Sequence, residues 1–322
     1  MHRDRFTAGT AAFVMPHYSD GSGTGAHDHL REAVASLREQ TDPSWRLVVV
    51  DDGSPHRRDR ERVRALQEAD RERVTVLQQD VNRGQGFCRN VGVRWAAAQG
   101  APFVLFLDAD DIAHPRRLER TRQVFAEHPE VDFLYSTFRV IDENGRPVAR
   151  ERLTPSVREV LDSHDRPVEG PNAWIRIGAE TGYTSLTSTV SVRTGLASAY
   201  PFPEVRASED AHAWLRMAAG GTSFKYDPEI PAQYRIPQGV AGSADRSRIG
   251  PDYYRRKMEV DTDGFRQALD IALRRGSVEP GEAPQLLAGF RRRLALTMER
   301  EGRSDLAAHI LTAARREAEG VL

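Results

Sequence analysis

The feature that most limits what this chain can become is an alternation along its first 135 residues, in which short apolar runs are separated by stretches of helical periodicity. The runs are Ala11 to Met15, Leu47 to Val50, Val74 to Leu77 and Phe103 to Leu107. After the first, Leu30, Val34 and Leu37 recur at spacings of four and three; before the last, Phe87, Val91, Trp95 and Ala98 do the same. A charged helix fits between the second and third. This is how βαβ units read, and runs apolar on both faces imply a parallel sheet. Ligands of open parallel sheets bind beyond the carboxyl ends of the strands. The residues to inspect are therefore Pro16 to Asp20, Asp51 to Ser54, Asn82 to Gly86 and Asp108 to Asp111, three of which are acidic segments.

Further along, Pro, Gly and Ser interrupt the pattern from 153 to 206. A helix is then expected with Ser208 as N-cap, running through Trp214 and Met217 to Gly220-Gly221. Beyond Gly239 the chain reads as helices over 251–275, 283–301 and 303–318, with Leu287, Phe290, Leu294 and Met298 along one face of the second. The expected division is a catalytic unit over 1–240 and a helical extension over 241–322. That extension packs on the sheet or pairs with a second copy.

Composition removes several classes of function. Charged residues are 29% of the chain but cancel to a net charge of −1, so no overall field recruits nucleic acid or an anionic membrane. All but two of the 46 basic residues are Arg, the exceptions being Lys225 and Lys257, a bias that carries no functional weight. Cys88 is the sole cysteine, which excludes an intrachain disulfide and a Cys-based zinc site. No segment approaches the roughly 18 apolar residues of a membrane span, and the stretch before Pro16 is too short for a signal-peptide core. The expectation is a reduced, cytoplasmic enzyme without an integral membrane segment.

Asp108-Ala-Asp110-Asp111 follows directly on a buried strand. Carboxylates are the hard ligands that Mg²⁺ or Mn²⁺ prefers, and such ions also bind diphosphate oxygens. Strand ends are also often acidic for solubility alone, so this motif by itself decides nothing. The other strand ends add weight. Residues 30–54, LREAVASLREQTDPSWRLVVVDDGS, resemble the opening of the family 2 glycosyltransferases: a helix ending in Ser-Leu-x-x-Gln-Thr, then a strand ending in Asp51-Asp52-Gly53-Ser54. The resemblance continues in order through Asn82-Arg-Gly-Gln-Gly86, Arg89-Asn90-Val-Gly92 and Asp108-Ala-Asp-Asp111, and ends with Glu209-Asp210 ahead of Trp214-Leu-Arg216. It covers about residues 10 to 236.

The resemblance implies the GT-A nucleotide-diphospho-sugar transferase fold, an α/β architecture with a mostly parallel, Rossmann-like sheet flanked by helices, here with a C-terminal helical extension. It implies that Pro16, Tyr18 and Asp52 hold the nucleotide base. Arg89 is then a contact to the nucleotide or its phosphates, the alternative being a surface side chain paired with an acid. Asp108 lies near ribose and metal, and Asp110 is the main ligand of Mg²⁺ or Mn²⁺. Asp210 is implied as the catalytic base that takes the acceptor hydroxyl's proton; its place at a helix N-terminus favours the charged form, and helix capping is the competing role.

Three departures stand out. Tyr234-Arg235 is followed by Ile-Pro-Gln-Gly rather than by the His that family members use near the metal, which leaves fewer protein ligands. Asp20 to Asp28 is a Gly-rich insertion, and Ala199-Tyr-Pro-Phe-Pro203 replaces a Gly-Phe-Asp turn. Gly21 to Ala26 fits a dinucleotide fingerprint but starts too far from the strand, and His27-Asp28-His29 lacks a third metal ligand. Cys88 has no catalytic partner and reads as a small residue near the site.

The implied activity is inverting, metal-dependent transfer from a nucleotide-sugar donor to a small-molecule, lipid-linked or glycan acceptor. A UDP-sugar is the leading donor, although these residues do not fix its base or sugar. Two alternatives compete: a haloacid-dehalogenase-type phosphatase with Asp108 as nucleophile, and a nucleotide-sugar binder without catalysis.

Overall fold

The computed structural model describes residues 6–21, 28–237 and 249–318. The four expected strands are present as β1 (Ala11–His17), β2 (Trp45–Asp51), β3 (Val74–Gln78) and β4 (Phe103–Phe106), all parallel where they pair, in the order β3-β2-β1-β4. Between them run α1 (His29–Arg38), α2 (Arg57–Ala69) and α3 (Gln85–Gln99). Asp28 starts α1 by accepting from the Arg31 amide at 3.3 Å, and Ala33, Val34 and Leu37 face inward. β1 runs two residues further than its apolar run, so Pro16 lies within the strand opposite Val50.

The chain continues through α4 (Arg117–Glu127), β5 (Val131–Ile141), α5 (Pro155–Ser163), the single turn α6 (Ala173–Ile175) leading into a π-helical turn at Arg176–Thr181, β6 (Val190–Arg193) and α7 (Thr194–Ala199). Then come α8 (Glu209–Gly220), β7 (Ser223–Arg235), α9 (Tyr253–Arg275), α10 (Ala283–Arg300) and α11 (Ser304–Ala318). The complete sheet is β3-β2-β1-β4-β6-β5-β7. β6 is antiparallel to both neighbours, and β7 is parallel to β5. The sheet is thus mostly parallel, with helices on both sides.

Apolar runs do not announce β5 to β7. β7 contains Pro228 and Pro231, which cannot donate to a ladder. It tolerates them because it is an edge strand and its register against β5 shifts where they occur, between the pairs Ser136–Asp227 and Phe138–Ala232.

Strand periodicity sends alternate residues to opposite layers. Phe13, Met15, Leu47 and Val49 pack with Val34, Leu37, Val63 and Leu118 on one side. Ala12, Val14, Val104 and Phe106 pack on the other with Trp214 of α8, and the same apolar cluster continues through Phe265, Phe290, Leu294 and Ile310 of the last three helices. Phe265 joins the layers, against Trp174 at 5.1 Å and stacked on Phe290 at 4.4 Å. The C-terminal helices therefore share the sheet's core.

Candidate active site

Strand order reverses between β1 and β4, and the crevice beyond their carboxyl ends is where an open sheet accepts ligands. A cavity of about 900 Å³ opens there, lined by Pro16, Tyr18, Asp52, Arg89, Asp108, Asp110 and Asp210 together. These seven residues face one space, whereas Asp51, Cys88 and Asp111 lie buried behind it.

At one end, β2 delivers Asp51 and Asp52. Asp51 is fully buried and accepts from the Ser54 hydroxyl at 2.5 Å. The two oxygens of Asp52 accept from the main-chain N–H groups of Arg83 at 2.8 Å and Gly84 at 2.7 Å, so this carboxylate fastens the Asn82–Gly84 turn over the strand end. Gly53 makes that approach feasible: its φ is +69°, and a Cβ there would meet the Val81 carbonyl carbon at 2.8 Å. Tyr18, at 36% exposure, stands at the rim. Cys88 is wholly buried, and burial followed by the nearby Asp52 charge pushes its thiol well up, so it is no nucleophile.

At the centre, the Asp-x-Asp-Asp turn is braced from two directions. β6 runs antiparallel beside β4, so the residues entering β6 lie at β4's exit. There the Ser188 hydroxyl accepts from the Asp108 amide at 3.0 Å and bonds Asp111 Oδ2 at 2.5 Å. From the other side Arg235 donates its main-chain N–H to Asp111 Oδ1 at 2.8 Å, its Nε to the Asp110 carbonyl at 2.7 Å and its Nη2 to Glu32 at 2.7 Å. Asp111, 1% exposed, is thereby a structural member of the turn; burial and then the Asp110 charge push its pKa well up. Asp110 differs. Its side chain has solvent access in the cleft, and it accepts from its own main-chain N–H and from no other described residue. Desolvation by the surrounding walls, then the Asp108 charge, raises its pKa to about 6.

A free carboxylate beside a second one, each disfavouring the other's charge, is an arrangement that a divalent cation relieves. Among the described residues no three His, Cys, Asp or Glu side chains converge as a metal cage. Asp110 and Asp108 alone would leave most positions of a Mg²⁺ or Mn²⁺ ion to oxygens from outside the protein. His29 does not complete a cage: its ring Nε2 lies 2.9 Å from the Glu143 carbonyl, while His27 and the insertion over 22–27 lie outside the described residues.

Arg89 lines the cleft but is not a surface side chain. It is 1% exposed, with Nη2 on Asp108 Oδ1 at 2.8 Å and Nη1 on Glu209 Oε1 at 2.6 Å. It works by joining the β4 end to the start of α8. Asp210, the next residue, opens toward the cleft; its Oδ1 accepts from the Ala211 amide at 2.7 Å and its Oδ2 from Thr187 Oγ1 at 3.4 Å. The first contact uses one of the helix's spare N–H groups, so partial capping and access to substrate coexist. Ser208 holds the N-cap position but makes no side-chain cap bond, because its hydroxyl is turned to Asp261. Reading the sequence gave no role to Ser188, Thr187 or Lys257; none stands in a motif, and only the fold brings Thr187 and Lys257 to the cleft and Ser188 behind its acidic turn.

The family model described as Glycosyl transferase family 2 matches residues 13–199. The Escherichia coli protein WfgD, named UDP-Glc:alpha-D-GlcNAc-diphosphoundecaprenol beta-1,3-glucosyltransferase, is 27% identical over 146 residues, covering 44% of this chain and 52% of that one. The chain spans about half the length of curated relatives such as this. TarS of S. aureus, solved with UDP-GlcNAc, superposes with a TM-score of 0.56 at 18% identity over 95% of this chain and 92% of its own. The mannosyltransferase PcManGT from Pyrobaculum calidifontis, solved with GDP-Man and Mn²⁺, gives 0.53 at 15% identity over 96% and 86%. At such identities the two structures speak to fold alone.

Proposed function

The chain belongs to glycosyl transferase family 2, and we propose that it moves a sugar, with inversion, from a nucleoside diphosphate sugar to an acceptor hydroxyl. The observation that carries this reading is a single cleft in which the free carboxylate of Asp110 lies on the β4 side and Asp210 on the helix facing it. The nucleotide base occupies the end formed by Pro16, Tyr18 and Asp52, whose carboxylate oxygens keep lone pairs beyond those given to Arg83 and Gly84. Asp110 and Asp108 hold Mg²⁺ or Mn²⁺ against the diphosphate; when bound, that ion supplies compensation for the charge gathering on the leaving group. Asp210 orients the acceptor hydroxyl and takes its proton as the oxygen bonds to the anomeric carbon. The bond from that carbon to the diphosphate oxygen breaks on the opposite side, and its electron pair leaves with the nucleotide. Arg89 keeps Asp108 and the head of α8 in fixed relation.

WfgD's printed donor and the ligand of TarS support UDP as the nucleotide, while PcManGT keeps GDP in play. The lipid-linked diphosphate acceptor in WfgD's name makes that acceptor class the first to try. Among the described residues no helix is long and apolar enough to cross a membrane. The phosphatase alternative loses support because Asp108 is bonded to a buried Arg89 instead of being poised as a nucleophile.

Thermal shift with UDP, GDP and their sugars, each with and without Mn²⁺, tests the proposal. We expect one nucleotide to stabilise the protein only when Mn²⁺ is present, by about 2.7 kcal/mol at a hundredfold excess over Kd. No stabilisation by any of them, or the same shift in EDTA, would contradict it.

A further inference from the structure

Among the described residues only Asn172 and Ser208 are non-glycines with left-handed backbone, a conformation side chains seldom take outside special sites. Ser208 (φ 58°, ψ 24°) sits two positions before Asp210. A serine at that place ordinarily gives its hydroxyl to the helix as a cap. Here the hydroxyl leaves the helix altogether. It lies 2.5 Å from Asp261 Oδ1 and accepts from Lys257 Nζ at 3.0 Å, and the same ammonium donates to Asp261 Oδ2 at 2.9 Å. Lys257 and Asp261 are one turn apart on α9 and so reach the same point. Asp261 is fully buried, while Lys257 also lines the cleft.

α9 comes this close because Gly264 faces α8: a Cβ on it would meet the His212 Cα at 2.9 Å. A buried ion pair is poor evidence for stability, since an apolar pair of similar size packs as well or better. What the pair does hold is direction. Asp210 directly follows two anchored residues: Ser208, in its left-handed conformation and tied to α9, and Glu209, tied to Arg89.

We infer that Ser208, Lys257 and Asp261 form a latch through which α9 aims the Asp210 carboxylate into the cleft, which makes them positioning residues for the transfer reaction. The inference rests on the reading of Asp210 as base. It also gives the C-terminal helices a part in catalysis, beyond covering the sheet.

Ser208→Gly isolates the latch, because glycine accepts φ 58° without strain and the fold is retained. Four readouts are needed: amide hydrogen exchange over residues 212–215, UDP release from UDP-glucose and UDP-GlcNAc with Mn²⁺, the melting temperature and UDP affinity. We expect an unchanged or higher melting temperature, UDP affinity within about twofold, faster exchange at the head of α8, and a kcat lower by about 10- to 100-fold with KM for donor unmoved. Asp261→Asn, which keeps an oxygen for the Ser208 hydroxyl, should lose less turnover than Asp261→Ala. Exchange at the parent rate overturns the latch whatever the turnover; faster exchange with parent kcat overturns its role in positioning. Failure of the base reading is separately visible, as parent turnover in Asp210→Asn, and leaves the exchange result to judge the latch.

Discussion

At the scale of single residues, the carboxylates of this cleft divide by what already bonds them. Asp52 looks from the sequence like an open strand-end acid, yet both its oxygens hold main-chain donors of a turn some 31 residues away, the Gly84 N–H buried and the Arg83 N–H partly so. Asp52→Ala should therefore lower stability by about 1–3 kcal/mol for each N–H left unpaired, as well as weakening nucleotide affinity. Urea unfolding checks this; unchanged stability with reduced UDP affinity would mean the turn holds without the carboxylate. Asp110 is the opposite case, with no donor beyond its own main-chain N–H. Asp110→Asn should shift the Mn²⁺ dependence of UDP binding to higher metal concentration, and an unchanged titration would remove Asp110 from the cation. In EDTA the same substitution has a definite pH signature. A folded pKa of about 6, above the unfolded carboxylate value near 3.8, means the charged form burdens the native state at high pH and not at low pH. The variant's gain in melting temperature should be present above pH 6 and disappear below about pH 4. The acidic motifs were legible at this scale, but their partners were not, since Arg89 meets acids 19 and 120 positions away.

At the scale of elements, the first four strands and the later helices were readable because burial imposes a pattern: two-sided apolar runs for a central parallel sheet, three- and four-residue spacing for helices that cover it. β6 escaped because it is four residues long and antiparallel, and β7 because its prolines mimic a loop. The missed strand matters, since only an antiparallel β6 brings Ser188 to the mouth of β4. Ser188→Ala would strip the Asp108 amide and Asp111 of a shared partner inside a buried turn. We expect a loss of about 1–3 kcal/mol and weaker Mn²⁺-supported UDP binding together. Calorimetry of both properties is the check; loss of neither would mean that Arg235 alone braces the turn.

At the scale of the whole molecule, the change of pattern near residue 240 was legible, but where the last helices go was not. Their apolar faces say only that something covers them, whereas the structure puts Phe265, Phe290 and Leu294 into the same core as Phe106 and Trp214 and sets α9 against the head of α8. The central claim is that two groups a hundred residues apart, the β4 carboxylates and Asp210, meet in one cleft to divide the work of transfer. The measurement that reaches it most directly is sugar transfer by Asp210→Asn, made alongside Mn²⁺ and donor affinity. Asn fills the same space and serves a helix start about as well as Asp, so the fold should stand. We expect donor and metal binding near parent values and a turnover lower by about 10² to 10⁴. Parent turnover in that variant would contradict the claim.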